Sequence, residues 1–150
     1  MPELSLDPPP LSLALTSELT SCEAARQAVV GFLARHQPSA KAIYQVELVL
    51  EEALMNQICH AFPDKRPDHP LQLRAEVAND SVVLTFSDKG LPFNPLDTRA
   101  PAFPTRLEEA TPGGLGIFLT RKYAQSLAYQ RLGDENQLTV VLGLRDPPAT

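Results

Sequence analysis

Basic residues are in short supply in this chain of 150 residues, where 13 Lys and Arg stand against 18 Asp and Glu for a net charge of −5. A protein that grips a phosphate backbone needs a cationic surplus to displace counterions, so nucleic acid is not the expected partner. Cysteine is scarce as well. Cys22 and Cys59 are too few and too far apart for a disulfide framework, and they suit a reducing cytoplasm, where cysteine is a small buried hydrophobe. No run approaches the ~18 apolar residues of a membrane span. The first ten residues carry neither the basic nor the apolar region of a secretory signal. The expectation is a soluble, cytoplasmic protein with no membrane partner. Two nucleotide signatures are also missing. Without Gly-x-x-x-x-Gly-Lys-Ser/Thr there is no P-loop, and without Gly-x-Gly-x-x-Gly after a strand a dinucleotide fold is disfavoured.

What the chain does have is enough length for one domain with a real core. Residues 1–10 hold four prolines and are expected to form a disordered leader. Alternation predicts a strand over 11–16. A helix follows over 21–36, stopped before Pro38, and a second over 40–61, capped by Ser39 and stopped by Pro63. Strands over 71–77 and 81–86 flank Asn79-Asp80, a hairpin signal. Residues 91–112 hold five prolines and no clear period, and a loop that long is expected to be functional or disordered. A helix over 115–125 and a hairpin over 126–144, turned at Gly133-Asp134, close a domain spanning 11–144, with a loose tail over 145–150. Strands grouped apart from helices predict an α+β two-layer sandwich, its mixed or antiparallel sheet covered by helices on one face.

Three places can carry chemistry. On the second helix Glu52, Asn56 and His60 recur at i, i+4 and i+8 beside an apolar face. An amide oxygen there can hold Mg²⁺ against phosphates, and a carboxylate can orient or deprotonate an attacking hydroxyl. A solvated helix edge is the bland alternative. His60 with Cys59 and His69 lacks the paired spacings of a zinc site. After the third strand comes Ser87-Asp88-Lys89-Gly90, which can expose one carboxylate to the exocyclic amine of adenine, or be a plain turn. Gly113, Gly114 and Gly116 then precede a helix, where backbone N–H groups can bind an anion or simply turn the chain.

In this order and at these distances the three segments resemble the boxes of the GHKL ATPases, the group that includes gyrase, Hsp90, histidine kinases and MutL. Their wording is similar to that of the bacterial anti-sigma factor serine kinases of the RsbW and SpoIIAB type. The resemblance implies the GHKL sandwich fold, with ATP and Mg²⁺ as cofactors. It makes Glu52 the catalytic base and Asn56 the magnesium ligand, since only Glu52, not Glu51, stands four residues before Asn56. It makes Asp88 the adenine reader, with Gly90 beside it and Pro92 and Phe93 as pocket wall. The Gly113-Gly114-Leu115-Gly116 segment becomes the phosphate site, residues 94–112 the ATP lid, and Thr139 a further adenine contact. One departure stands out. Some members carry an arginine just before the glycines, where this chain has Thr111-Pro112; Arg99, Arg106 and Lys122 are the substitutes.

The resemblance also implies a function: a serine/threonine protein kinase that phosphorylates an anti-sigma factor antagonist of STAS fold, sequesters a sigma factor, and works as a homodimer. Two rivals stand beside it. One is a non-catalytic ATP-binding partner-switch module. The other is a stand-alone histidine-kinase-like ATPase domain, which needs a phosphoacceptor helix hairpin for which 150 residues leave no room.

Overall fold

The structure, a computed structural model, describes residues 9–97 and 114–145. Strand β1 (Leu11–Thr16) leads into helix α1 (Thr20–Ala34) and then helix α2 (Ala40–Asn56). A π turn (Gln57–Ala61) prolongs α2, and β2 (Pro70–Ala78) and β3 (Ser81–Asp88) follow as a hairpin. A 3₁₀ turn (Pro95–Asp97) lies beyond β3. Helix α3 (Gly114–Tyr123) and the hairpin β4 (Ser126–Leu132) to β5 (Glu135–Gly143) complete the fold.

All five strands form one sheet in the order β1-β2-β3-β5-β4, and every neighbouring pair is antiparallel. The expected α+β sandwich is therefore present, with an antiparallel rather than a mixed sheet. Strand alternation sends Leu71, Leu73, Val82, Leu84, Phe86, Val140 and Leu142 to one face, all buried. Ala25, Val29 and Leu33 of α1 and Val46, Val49, Leu50 and Ala53 of α2 cover that face. At roughly 1.5–3 kcal/mol for each large aliphatic side chain buried, this interface supplies most of the drive to fold. The other face carries Gln72, Arg74, Thr85, Gln137 and Thr139, none of them buried.

Local chemistry explains the boundaries. Ser39 caps α2 by accepting from the Ala42 amide at 3.0 Å. Asn79 and Asp80 turn the first hairpin with φ of 54° and 61°, the two positive angles that a two-residue I′ turn requires. Helix α1 ends at 34 and α3 at 123, each two residues before the expected end, and two further differences bear on the site. The second helix does not stay α-helical to residue 61, because at Gln57 the ladder widens into the π turn, which commonly marks a functional site. Strand β3 runs two residues past 86, because β5 continues beside it and pairs Gln137 with Ser87 and Asn136 with Asp88.

Candidate functional site: a buried carboxylate facing the end of α2

Asp88 is the last residue of β3 and is only 5% exposed. A buried carboxylate must be hydrogen-bonded, and three donors meet this one. Gln57 Nε2 donates to Oδ2 at 2.9 Å, while Asn136 Nδ2 and the Gly90 amide each donate to Oδ1 at 2.9 Å. The donors come from the π turn, from β5 and from the turn after β3, so three elements converge on one side chain. Asn136 is itself held: its amide also donates to the Leu91 carbonyl at 2.8 Å and its Oδ1 accepts from the Tyr129 hydroxyl at 2.5 Å. A carboxylate offers about four acceptor positions, so roughly one stays open on Asp88.

Asn56 ends α2 and is buried, and Gln57 follows it into the same cavity. One turn earlier stands Glu52, half-buried, with Oε2 fully covered and lacking a hydrogen-bond partner among the described residues. Its pKa is raised, first by burial and then by the neighbouring charge of Glu51. A carboxylate raised in this way holds a proton more readily than an ordinary one, which suits a general base. The cavity between α2, β3, β4 and β5 has a volume of ≈ 20 Å³, with Asn56, Gln57, Asp88, Phe93, Tyr129 and Asn136 on its wall. That is room for about one water. Phe93 closes one side, its ring stacked on that of His60 with centroids 4.6 Å apart and planes at 17°.

A profile of the histidine kinase-like ATPase domain matches residues 15–142, nearly the whole described chain. The chain belongs to the histidine kinase-like ATPases. Among its relatives, the serine/threonine-protein kinase BtrW of Bordetella bronchiseptica is 33% identical over 108 residues, covering 71% of this chain and 74% of that protein. The anti-sigma F factor of Oceanobacillus iheyensis is 24% identical over 117 residues, 78% of this chain and 80% of that one. Among solved structures, the RsbU and RsbW domains of Rv1364c from Mycobacterium tuberculosis superpose with a TM-score of 0.65 at 14% identity. That alignment covers 91% of this chain and 33% of the other, so the fold is common to both while the larger protein extends well beyond it. Within the histidine kinase-like ATPases these relatives place the chain in the anti-sigma kinase branch of the GHKL group.

Of the side chains singled out from the sequence, Asn56, Asp88 and Phe93 of this ATPase domain come together in one cavity, with Glu52 a helical turn away. Others go elsewhere. Thr139 pairs with Thr85 on the opposite face of the sheet, because the inward positions of β5 are Asn136, Leu138 and Val140. Pro92 is exposed, and Pro95 takes the expected place beside Phe93 on the cavity wall. Gly90 is buried, but the close approach it permits is to Ala61 of the π turn rather than to open space. His60 leaves the α-helical edge for the π turn, and His69 stacks on Phe62 and bonds Asp64 instead of joining it.

Gly114, Leu115 and Gly116 form the first turn of α3, which packs against α2. Gly113, Arg99, Arg106, Thr111-Pro112 and all of the expected lid except residues 94–97 lie outside the described residues; Lys122 is exposed on α3. Arg121 of α3 donates to the carbonyl of Leu96, tying that helix to the 3₁₀ turn. Sequence reasoning missed Gln57, Asn136 and Tyr129. Gln57 did carry a signal, a polar residue standing three and four positions after Leu54 and Ala53 in an apolar stripe. Asn136 carried none until the register of β5 against β3 was known.

Proposed function

We propose that this chain binds Mg·ATP at the Asp88 cavity and transfers the γ-phosphate to a serine or threonine of an anti-sigma factor antagonist of STAS fold. We also propose that it sequesters a sigma factor, as a homodimer, when the antagonist is phosphorylated. One observation carries the reading: a buried carboxylate at a strand tip shares a cavity with the buried Asn56. Asp88 accepts from the adenine amine. Asn56 holds Mg²⁺ through its amide oxygen, and the fit is chemically sound, since Mg²⁺ takes one or two protein oxygens and completes its shell with phosphates and water. The ion supplies charge neutralisation on the phosphates. Glu52, with its unpartnered Oε2 and raised pKa, receives the proton of the attacking hydroxyl. The amides of the Gly113-Gly114-Leu115-Gly116 segment cradle the phosphates. The names of the relatives, a serine/threonine kinase and an anti-sigma F factor, support the same assignment.

The test is nucleotide-dependent thermal stability. Mg·ATP should raise the Tm by mass action and Mg·GTP much less. Asp88→Asn should weaken ATP binding roughly 10- to 100-fold, the scale of a hydrogen bond to a charged group, and erase the preference over GTP. Equal shifts with ATP and GTP in the unaltered protein would remove Asp88 from its role. A second reading, nucleotide binding without phosphotransfer, is favoured by Thr111-Pro112 standing where some members of the branch carry arginine. ATP bound tightly by a protein that phosphorylates no STAS partner is the result that supports it.

A further inference from the structure

We infer that Gln57 is a second reader of the nucleotide base, its carboxamide oxygen accepting the other hydrogen of the 6-amino group that Asp88 engages. This rests on the ATP-binding reading above and adds a specificity residue to it. Gln57 is 8% exposed and lines the cavity beside Asp88. Its orientation is set: Nε2 donates to Asp88 Oδ2 at 2.9 Å, and turning the amide over would put two acceptors face to face. That leaves Oε1 as the free end. It is fully buried and has no hydrogen-bond partner among the described residues.

A buried acceptor left unpaired is costly, and one at a binding cavity that no described residue satisfies points to a donor brought by a ligand. The missing donor has a definite chemistry. It must share a cavity walled by Phe86, Leu138 and Phe93, and it must meet two neighbouring acceptors, the open position on Asp88 and Oε1 of Gln57. A flat ring bearing –NH₂ satisfies both with its two hydrogens. A 6-oxopurine turns a carbonyl oxygen toward two acceptors and satisfies neither. Sites built to hydrogen-bond a substrate group reject analogues lacking it more strongly than apolar pockets do. The ≈ 20 Å³ is room for an amino group and not for a whole purine, so the ring edge that bears the –NH₂ is what Gln57 and Asp88 meet here.

The experiment measures the affinities of ATP, N6-methyl-ATP and ITP, each with Mg²⁺, for the wild-type chain and for Gln57→Met. Methionine keeps the length and helix preference of glutamine and removes the amide. In the wild type, ATP should bind more tightly than N6-methyl-ATP, which has one donor hydrogen fewer, and far more tightly than ITP. In Gln57→Met, one acceptor remains and one hydrogen suffices, so ATP and N6-methyl-ATP should converge. The ATP-to-ITP ratio should then fall about tenfold, one hydrogen bond's share. An unchanged ATP to N6-methyl-ATP ratio means that Gln57 only braces Asp88 or holds a water, and overturns the inference. Tighter ATP binding by Gln57→Met overturns it too, showing a plug instead of a reader. Should Gln57→Met fail to fold, the wild type alone decides, since equal affinity for ATP and N6-methyl-ATP leaves no second acceptor at work. No binding of ATP by the wild type refutes the ATP-binding reading itself, a different result from any of these.

Discussion

Gly90 and Ala61 are in contact so close that a side chain on the glycine has no room to begin: a Cβ there would lie 2.5 Å from the Ala61 carbonyl oxygen and 2.7 Å from its Cβ. The same carbonyl accepts from the Leu91 amide at 2.9 Å. The π turn is thus clamped directly against the turn that follows β3, and Asp88 sits between them.

Gly90→Ala should therefore separate these two segments. The obstruction is backbone, which cannot swing aside as a flexible side chain would, so overpacking on the order of 1–3 kcal/mol is expected. For a domain of this size that is a fall in Tm of roughly 2–4 °C per kcal/mol. Nucleotide affinity should fall with it, because the Gly90 amide is one of the donors on Asp88. Denaturant unfolding beside ATP titration checks both. A variant as stable as wild type would mean that the π turn yields freely.

Asn136 is the second support of that carboxylate and satisfies four groups at once, Asp88, the Leu91 carbonyl, the Tyr129 hydroxyl and the Phe93 amide. Asn136→Ala leaves the buried Asp88 one donor short and strips partners from three part-buried groups that water can partly satisfy, so a loss of about 2–4 kcal/mol is expected, at 1–3 kcal/mol for a buried group left unpaired and less for the others. Tyr129→Phe removes one donor and keeps the ring, so its cost should be nearer 1 kcal/mol. Comparable losses in the two variants would show that Asn136 matters through Tyr129 alone.

These residues show what a single sequence discloses and where it stops. Ser39, the apolar stripe from Val46 to Leu54 and the Asn79-Asp80 turn act through neighbours three or four positions away, so the helices and the first hairpin were readable. Glu52, Asn56 and Asp88 stood out because the segments that carry them resemble the boxes of a known family; spacing alone left a helix edge and a plain turn open. Thr139 lies away from the cavity for a reason of phase: a strand shows alternation plainly, but which of its two faces meets the cavity depends on pairing with β3. Pro92 and Pro95 are equivalent in composition and differ only in how the chain bends after Gly90. Asn136 is 48 residues from the carboxylate it serves, and no local pattern marks such a pair.

Glu52 makes a prediction about stability that is independent of any partner. Burial, then the Glu51 charge, raises its pKa above the ordinary 4.5. Well below that value the side chain is neutral in both folded and unfolded chains, and its contribution is fully present. As pH rises the unfolded chain ionises first, so the native state loses stability until its own raised pKa has been passed. Glu52→Gln cannot ionise and escapes that loss. Its Tm relative to wild type should be smallest below 4.5, grow as pH rises above that value, and level off once the raised folded pKa has been passed. A difference that does not change with pH would mean that Glu52 ionises as readily in the fold as outside it.

The proposed roles of Glu52 and Asn56 divide binding from transfer. If Glu52 acts through a proton and Asn56 through Mg²⁺, the two variants should fail differently. Glu52→Gln keeps the shape and hydrogen-bonding length of the side chain, and Mg·ATP affinity should stay within a few-fold of wild type. Phosphorylation of a STAS-fold antagonist should nevertheless fall by roughly two to four orders of magnitude, the usual contribution of a general base. Asn56→Ala should lose both, and its remaining ATP affinity should depend little on Mg²⁺. The measurements are phosphate incorporation from labelled ATP and nucleotide affinity with and without the metal, for each variant. If Glu52→Gln transfers phosphate as fast as wild type, its unpartnered oxygen is a feature of the helix edge and the base lies elsewhere. If wild type itself transfers nothing to any STAS partner while binding ATP tightly, the nucleotide acts as a conformational ligand, and the raised pKa of Glu52 serves no phosphotransfer in this chain.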